Sequence, residues 1–237
     1  MLYICTLIKN KMLLTALAAF ALMALLPLSA RADEISLFNF NDSNLVVDRG
    51  NGTLTTTVAP ANVVLTFSGT TVGASMGDAA GFALALQNGT GGVNNGANLT
   101  LNTSTVGFNS IMVSFATQRT ATGFNSNQFQ YSINGGTTFT NFGAPYTPAL
   151  SFALQTFDLS SITALNNNAL AAFRIVFSGG DPSSSAGNNR IDNLLVAGTP
   201  LAPVAAVPEP ASMLLLGTGL ASIAAAGLRR RRSNPSC

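Results

Sequence analysis

Few side chains in the central part of the chain are able to do chemistry. The chain contains no histidine, and its two cysteines, Cys5 and Cys237, lie near its two ends. These absences exclude histidine-based nucleophilic triads and imidazole metal ligands in the central part. The remaining candidates for general acids, general bases or metal ligands between residues 33 and 206 are eight carboxylates: Asp33, Glu34, Asp42, Asp48, Asp78, Asp158, Asp181 and Asp192.

Paired carboxylates could still serve a glycosidase. A glycosidase uses two such groups about 5 to 9.5 Å apart, one of them held protonated. Asp33 and Glu34 stand together at the beginning of the central part, Asp181 lies in a turn rich in glycine and proline, and the spacing of the eight acids offers no convincing pair. We therefore expect that the protein is not an enzyme, and keep a weak hydrolase as the least favoured alternative.

Calcium is the inorganic cofactor that these residues suit best, because oxygen ligands suffice for it. Asp42 and Asp192 stand near the first and last predicted strands, and they become neighbours if those strands pair. The alternative is that Asp42 caps a turn and that Asp192 pairs with Arg190 or Arg174. No other cofactor is expected.

Aromatic side chains are a second kind of candidate site, since exposed rings can stack on sugar rings. Tyr146, Phe124 and Phe142 are the candidates. The chain has fifteen phenylalanines, three tyrosines and no tryptophan. Without tryptophan, the alternative that these rings belong to the core explains the composition better.

The elements that must position these residues are predicted to be β-strands. Asn-Gly and Gly-Gly pairs recur between apolar segments, and such pairs tolerate the positive φ of tight turns. Apolar residues alternate with polar ones along several segments, as expected for strands with one buried face. The three clearest segments are Ile111, Val113, Phe115; Phe129, Tyr131, Ile133; and Phe173, Ile175, Phe177. One hairpin is predicted from Phe129 to Phe142, with its turn at Asn134 and Gly135.

The predicted fold class is all-β, an antiparallel β-sandwich of the jelly-roll kind. About ten strands at this spacing favour two packed sheets, and the only helical element expected is a short turn around residues 160–165. The strands are predicted near residues 34–40, 53–58, 62–68, 81–86, 97–101, 107–117, 123–133, 137–142, 151–158, 170–178 and 190–197.

The first 32 residues are typical of a secretory signal peptide. Lys9 and Lys11 precede an uncharged apolar stretch over residues 12–28, and the small residues Ala30 and Ala32 follow. A basic start, an apolar run and an Ala-x-Ala end are what signal peptidase recognises, so we predict a signal helix that is cleaved after Ala32. The alternative is an uncleaved N-terminal anchor.

The C-terminal part is typical of a membrane segment that stops translocation. Residues 199–210 form a proline-rich linker, and residues 211–228 contain 18 residues without a charge. As a helix they are about 27 Å long, enough for a transmembrane helix. The basic residues of the 229–237 tail follow at once, and they are expected to keep that tail in the cytoplasm and the central part, residues 33–198, outside. These stop-signal residues are Arg229, Arg230, Arg231 and Arg232.

The residues before this helix carry a resemblance to a known sorting signal. Val207, Pro208, Glu209 and Pro210 are followed by the apolar segment and the arginine cluster, and this order resembles the PEP-CTERM signal. The resemblance implies recognition by an exosortase, a membrane-embedded cysteine protease of Gram-negative bacteria that make exopolysaccharide, with cleavage near Pro-Glu-Pro. The alternative is a plain C-terminal anchor. Residues 157–194 also resemble the closing strands of jelly-roll domains in extracellular proteins.

Together these features predict an exported surface or matrix protein, associated with exopolysaccharide or biofilm and anchored in the inner membrane only until it is processed. Its expected partners are the secretion translocon, signal peptidase, exosortase and exopolysaccharide. Residues 33–206 hold four arginines against eight acids, so nucleic acid is not expected as a partner. The alternative function is an extracellular carbohydrate-binding module.

Overall fold

Twelve β-strands make up most of the residues that the structure describes. It is a computed structural model that describes residues 32–75 and 77–201. The strands are β1 (Asp33–Phe38), β2 (Arg49–Gly50), β3 (Thr53–Thr56), β4 (Val63–Ser68), β5 (Phe82–Gln87), β6 (Asn98–Thr103), β7 (Phe108–Arg119), β8 (Ser126–Ser132), β9 (Thr140–Asn141), β10 (Ala153–Asp158), β11 (Ala171–Ser178) and β12 (Asn188–Pro200). Eleven of them correspond to the predicted strands, and β2 was not predicted.

The strands form two antiparallel sheets. The first sheet has the order β10-β7-β12-β1-β2, and β12 also pairs with β5, which pairs with β4. The second sheet has the order β3-β6-β11-β8-β9. The buried apolar residues of both sheets form one core, which confirms the predicted all-β sandwich.

The alternating pattern places its apolar side chains in this core. Ile111 and Phe115 on β7 are fully buried, as is Phe177 on β11. The prediction was wrong at Ile133, which is 45% exposed. Because β8 ends at Ser132, Ile133 already belongs to the turn and no longer follows the alternation of the strand.

Aromatic rings from both sheets meet near the middle of the core. The rings of Phe129 on β8 and Phe157 on β10 are stacked with centroids 3.9 Å apart and planes 6° apart. Phe173 lies beside Phe129, and Phe142 meets it edge on. Each such pair contributes about 0.5–1.5 kcal/mol beyond the burial of its area, so this cluster holds the two sheets together.

The short helical elements and the predicted hairpin are also present. A 3-10 turn spans Thr163–Leu165, inside the predicted helical turn. β8 pairs with β9 in antiparallel register, and Gly135 has a φ of 69° in the connection between them. Within residues 32–75 and 77–201, no helix has the length and apolar character needed to cross a bilayer.

One feature of the first sheet positions the candidate site. The first part of β12 pairs with β5, ending at Ile191 opposite Leu84, whereas its later part pairs with β1, as in Leu194 opposite Phe38. Asp192 and Asn193 lie between these two pairings. We call this point, where β12 changes its neighbour from β5 to β1, the fork.

Candidate functional site

The residues predicted for sorting and cleavage lie almost entirely outside the described residues. Ala32 is the first described residue, is exposed, and directly precedes β1. The others, Ala30, residues 207–210 and residues 229–232, fall in parts of the chain that the structure does not describe, as do the predicted signal helix and transmembrane helix. Their roles stay predictions from the sequence.

The two predicted calcium ligands lie in different surroundings. β1 and β12 do pair, as the prediction required. β1 ends at Phe38, however, and Asp42 is exposed in the turn that follows, where its carboxylate accepts a hydrogen bond of 2.6 Å from the side-chain amide of Asn44. Asp192 is fully buried at the fork. Asp42 therefore lies in a turn, which agrees with the alternative to calcium binding.

Asp192 has hydrogen-bond donors but no cationic partner in the described part of the chain. The main-chain N–H of Thr70 donates to Oδ2 at 2.7 Å, and that of Asn193 donates to Oδ1 at 2.8 Å. The two arginines predicted as alternative partners lie over aromatic rings, Arg190 over Phe67 and Arg174 over Phe139. Burial raises the pKa of Asp192 to about 7, because the charged form loses its hydration.

The carboxylate of Asp192 and two main-chain carbonyl groups pack closely against Gly69. Three oxygen atoms lie within 2.6 Å of the position that a Cβ atom would occupy on Gly69, namely Oδ2 of Asp192 and the carbonyl oxygens of Ala80 and Phe82. A Cβ atom at position 69 would collide with all three oxygens. Glycine is therefore required where this segment passes close to Asp192 and to the main chain at residues 80–82.

A second acidic cluster lies at the edge of the first sheet, next to the beginning of β1. Arg49 makes salt bridges of 2.8 Å to Glu34 and 3.0 Å to Asp78, and the hydroxyl of Ser75 also donates to Glu34. Burial alone raises the pKa of Glu34, but the hydrogen bonds from Ser75 and Arg49 outweigh it and lower that pKa. Glu34 is therefore ionised and paired, which does not suit a general acid.

The three aromatic candidates for sugar stacking pack into the core. Phe124 is fully buried, and Phe142 and Tyr146 pack against the core cluster. The hydroxyl oxygen of Tyr146 is buried and has no hydrogen-bond partner among the described residues. These three rings therefore belong to the core, as the alternative to sugar stacking predicted.

The outer face of the second sheet carries a polar surface that the sequence did not reveal. Five residues, one from each strand, stand side by side across this sheet in the observed register. We call them the polar row, and they are Thr55, Thr100, Arg174, Gln130 and Asn141.

The polar row is held in place by its own contacts. Nε of Arg174 donates to Gln130 at 2.7 Å, and Nε2 of Gln130 donates to Asn141 at 2.7 Å. The guanidinium carbon of Arg174 lies 3.7 Å from the ring centre of Phe139. With strands about 4.8 Å apart, the row extends over about 19 Å. The row depends on the pairing of residues that are far apart in the sequence, such as Thr55 and Thr100, so no local sequence pattern predicts it.

Comparison with known proteins identifies one segment of the chain. Residues 206–232 match the model of the PEP-CTERM protein-sorting motif, so the predicted sorting signal is present. No curated protein matches this chain in sequence at a significant level.

Solved structures resemble the chain only distantly. The CBM22-1 xylan-binding domain of Xyn10C from Paenibacillus barcinonensis is 10% identical, covers 74% of this chain and 100% of its own, and has a TM-score of 0.42. The N-terminal cellulose-binding domain of Cellulomonas fimi β-1,4-glucanase C is 12% identical, covers 65% of this chain and 97% of its own, and has a TM-score of 0.37. The K2 cleaved adhesin domain of Lys-gingipain is 14% identical, covers 69% of this chain and 98% of its own, and has a TM-score of 0.41. Similarity this distant transfers neither a ligand nor a site.

Proposed function

We propose that this chain is an exported surface or extracellular-matrix protein that an exosortase cuts at its Pro-Glu-Pro motif. The observation that carries the proposal is the PEP-CTERM sorting motif at residues 206–232. The sandwich domain is complete before the motif begins, because its last strand ends at Pro200. A cut near residues 207–210 therefore releases the whole sandwich from the segment that follows.

The predicted cleavage at the other end is equally compatible with the fold. Signal peptidase would cut between Ala32 and Asp33, and β1 begins at Asp33. Both proposed cuts thus lie outside the strands, one directly before β1 and the other several residues after β12. The mature protein would be the sandwich with a short proline-containing end, located in the envelope, on the surface or in an exopolysaccharide matrix.

The proposed role of the sandwich is binding or structural rather than enzymatic. The chain has no histidine, Glu34 and Asp78 share one arginine, and Asp192 is buried away from solvent. None of these acids is an accessible carboxyl group held protonated beside a second one, as a glycosidase needs.

Replacement of Glu209 tests the sorting proposal. In a host that encodes an exosortase, we expect Glu209→Ala to accumulate in the membrane fraction as an uncut chain. Ser212→Ala, three residues further along and outside Pro-Glu-Pro, is the matched control and should be processed as the wild type is. Immunoblotting of membrane and released fractions gives both results. Normal processing of Glu209→Ala would mean that the chain has a plain C-terminal anchor.

The polar row favours a second function, the binding of an extended polysaccharide. Its hydroxyl, amide and guanidinium groups are suited to hydrogen bonding with sugar hydroxyls, and Phe139 lies beside Arg174. The row crosses all five strands and is about 19 Å long, so several sugar units of one chain could contact it together. This proposal identifies exopolysaccharide as a partner of the outer face of the second sheet.

Binding to exopolysaccharide purified from the producing host tests this second function. We expect Arg174→Ala to weaken binding at least tenfold, because Arg174 is at the centre of the row and orients Gln130. Thr156→Ala, at an exposed position on β10 of the other sheet, should bind as the wild type does. If the wild-type protein binds no polysaccharide, this function is wrong, while the sorting proposal is unaffected.

A further inference from the structure

Three exposed apolar side chains lie in adjacent loops at one end of the sandwich. They are Val106, Ile133 and Leu170, which are 54%, 45% and 59% exposed. Val106 follows β6, Ile133 follows β8 and Leu170 precedes β11, and β11 pairs with both β6 and β8. Single exposed apolar residues are ordinary on a protein surface, but a group of them favours an apolar partner. We call these three residues the apolar tip.

Hydrogen bonds fasten the loops of the apolar tip to one another. The side-chain amide of Asn168 donates to the carbonyl of Ile133 at 3.1 Å, and its main-chain carbonyl accepts from the N–H of Thr105 at 2.8 Å. The N–H of Gly135 donates to the carbonyl of Leu170 at 2.8 Å. These main-chain groups are paired within the protein, which suits a surface that contacts lipid, because hydrocarbon offers them no partner.

The loops of the apolar tip carry no charge. Residues 104–107, 133–139 and 159–170 contain no Asp, Glu, Lys or Arg. The exposed acid Asp33 stands farther back, because it pairs with Gly198, two residues before the end of β12. An uncharged apolar surface enters the interface of a bilayer readily, whereas a charged side chain resists entry.

The chain leaves the sandwich at the same end. Pro200, the last residue of β12, pairs with Phe108, the first residue of β7, and the Val106 loop directly precedes Phe108. Residues 201–210 then lead to the predicted transmembrane helix, which begins at residue 211. A proline-rich linker of this length extends over about 31–36 Å. If the helix is inserted as predicted, the linker keeps this end of the sandwich within that distance of the bilayer.

We propose that the apolar tip rests on the surface of the phospholipid bilayer while the C-terminal helix anchors the chain. The proposal rests on the membrane anchor of the proposed function, and it describes the sandwich before the exosortase cuts. A second copy of the chain is disfavoured as the partner, because three side chains are too few to bury the roughly 800 Å² per partner of a standard protein interface. Three shallowly inserted side chains bind a bilayer only reversibly, so cutting the linker lets the sandwich leave.

Tryptophan fluorescence tests this contact, because the chain contains no tryptophan. The full chain with Leu170→Trp is made in a host without an exosortase and reconstituted into phosphatidylcholine vesicles, either ordinary or brominated on the acyl chains. We expect this tryptophan to lose emission in the brominated vesicles, since bromine quenches only a ring that contacts the lipid.

The matched control is Val93→Trp at the opposite end of the sandwich. Val93 is 67% exposed in the loop after β5, and β5 ends at Gln87 opposite Asn188, the first residue of β12. The 13 residues of β12 separate the two ends by about 40 Å. The emission of Val93→Trp should therefore be the same in both kinds of vesicle.

Flotation of the vesicles separates failure of the docking from failure of the anchor. A chain that does not float with the vesicles has no membrane anchor, which contradicts the proposed function as well as the docking. A chain that floats, but whose Leu170→Trp emission is the same in both vesicles, overturns the docking alone. Equal quenching of Val93→Trp also overturns it, because the contact is then not specific to the apolar tip.

A charge placed on the apolar tip gives a second test. Ile133→Glu in the Leu170→Trp chain should restore most of the lost emission, because a carboxylate resists entry into hydrocarbon. Leu154→Glu places the same charge at a position on β10 that is 49% exposed and lies outside the tip, so quenching should persist. If Ile133→Glu leaves the quenching unchanged, or if Leu154→Glu abolishes it, the apolar tip is not the surface that contacts the lipid.

Discussion

Phe129 links the two sheets through the contacts of its ring. Its ring is 1% exposed and contacts the rings of Phe157, Phe142 and Phe173. Removing a buried phenylalanine ring forfeits its transfer free energy and leaves a cavity, at a cost of about 3–5 kcal/mol.

We therefore expect Phe129→Ala to lower the free energy of unfolding by about 3–5 kcal/mol in urea denaturation. Thr156→Ala, at an exposed position beside Phe157 on β10, should change it by less than about 0.5 kcal/mol. If the two variants lose similar amounts of stability, the aromatic cluster does not hold the sheets together.

Tyr146 makes the sandwich sensitive to alkali. Burial raises the pKa of its phenol above the usual value of about 10, so the folded state keeps a proton that the unfolded state releases. The contribution of this group to stability is fully present below pH 10 and is lost as the pH rises above it. Residues 33–206 contain no lysine and no cysteine, so few other side chains titrate there.

We expect the free energy of unfolding to fall by up to about 1.4 kcal/mol per pH unit between pH 10 and 12 because of Tyr146. Tyr146→Phe should remove this part of the slope, as measured by urea unfolding at pH 9 and pH 11.5. Equal slopes for the wild type and the variant would show that the phenol ionises in the folded state.

At the scale of elements, the unpredicted strand β2 depends on a glycine. Gly50 has a φ of +79° and pairs with Ser36 on β1, and a Cβ atom there would collide with the carbonyl oxygen of Ile35. Gly135, in the β8–β9 turn, has a φ of +69°, and its Cβ would only meet Leu170 at 3.8 Å.

Alanine substitutions at these two glycines should therefore differ. Gly135→Ala carries only the strain of left-handed backbone, about 1–2 kcal/mol. Gly50→Ala adds a collision with main chain, so its midpoint of thermal unfolding should be clearly lower than that of Gly135→Ala. Equal midpoints would contradict the close pairing of β2 with β1.

The strands could be predicted because each depends on a local pattern. The alternation around Phe115 and Phe173 and the glycine turns between them lie within a few residues of one another in the sequence. β2 escaped prediction because its two residues carry no period, whereas β9, which is equally short, was predicted from the hairpin turn at Asn134 and Gly135. The fork and the polar row escaped because they arise from pairings such as Arg174 with Thr100, which no local pattern encodes.

The candidate sites divide in the same way. The sorting motif is linear, so its residues could be read directly, and the match at 206–232 confirms it. Asp192 could be singled out because it stands in the last strand among few acids, but its burial and its hydrogen bond from Thr70 depend on contacts between distant parts of the sequence. Asp42 was grouped with it from the strand pairing alone, although β1 ends four residues earlier.

At the scale of the whole molecule, the sandwich is stable without an internal disulfide. The only cysteines are Cys5 and Cys237, so no disulfide can form within residues 33–206. We expect the thermal midpoint of unfolding to be the same with and without 5 mM dithiothreitol. A lower midpoint in reductant would indicate a stabilising disulfide between Cys5 and Cys237 or between two chains.

The central claim is that the chain is trimmed at both ends on its way out of the cell. Intact-mass and terminal-peptide mass spectrometry of the protein recovered from the producing host tests it most directly. The account predicts a mature N-terminus at Asp33 and a C-terminus near residues 207–210, without the arginine cluster. Recovery of the polypeptide from the cytosol with both Met1 and Cys237 in place would contradict it.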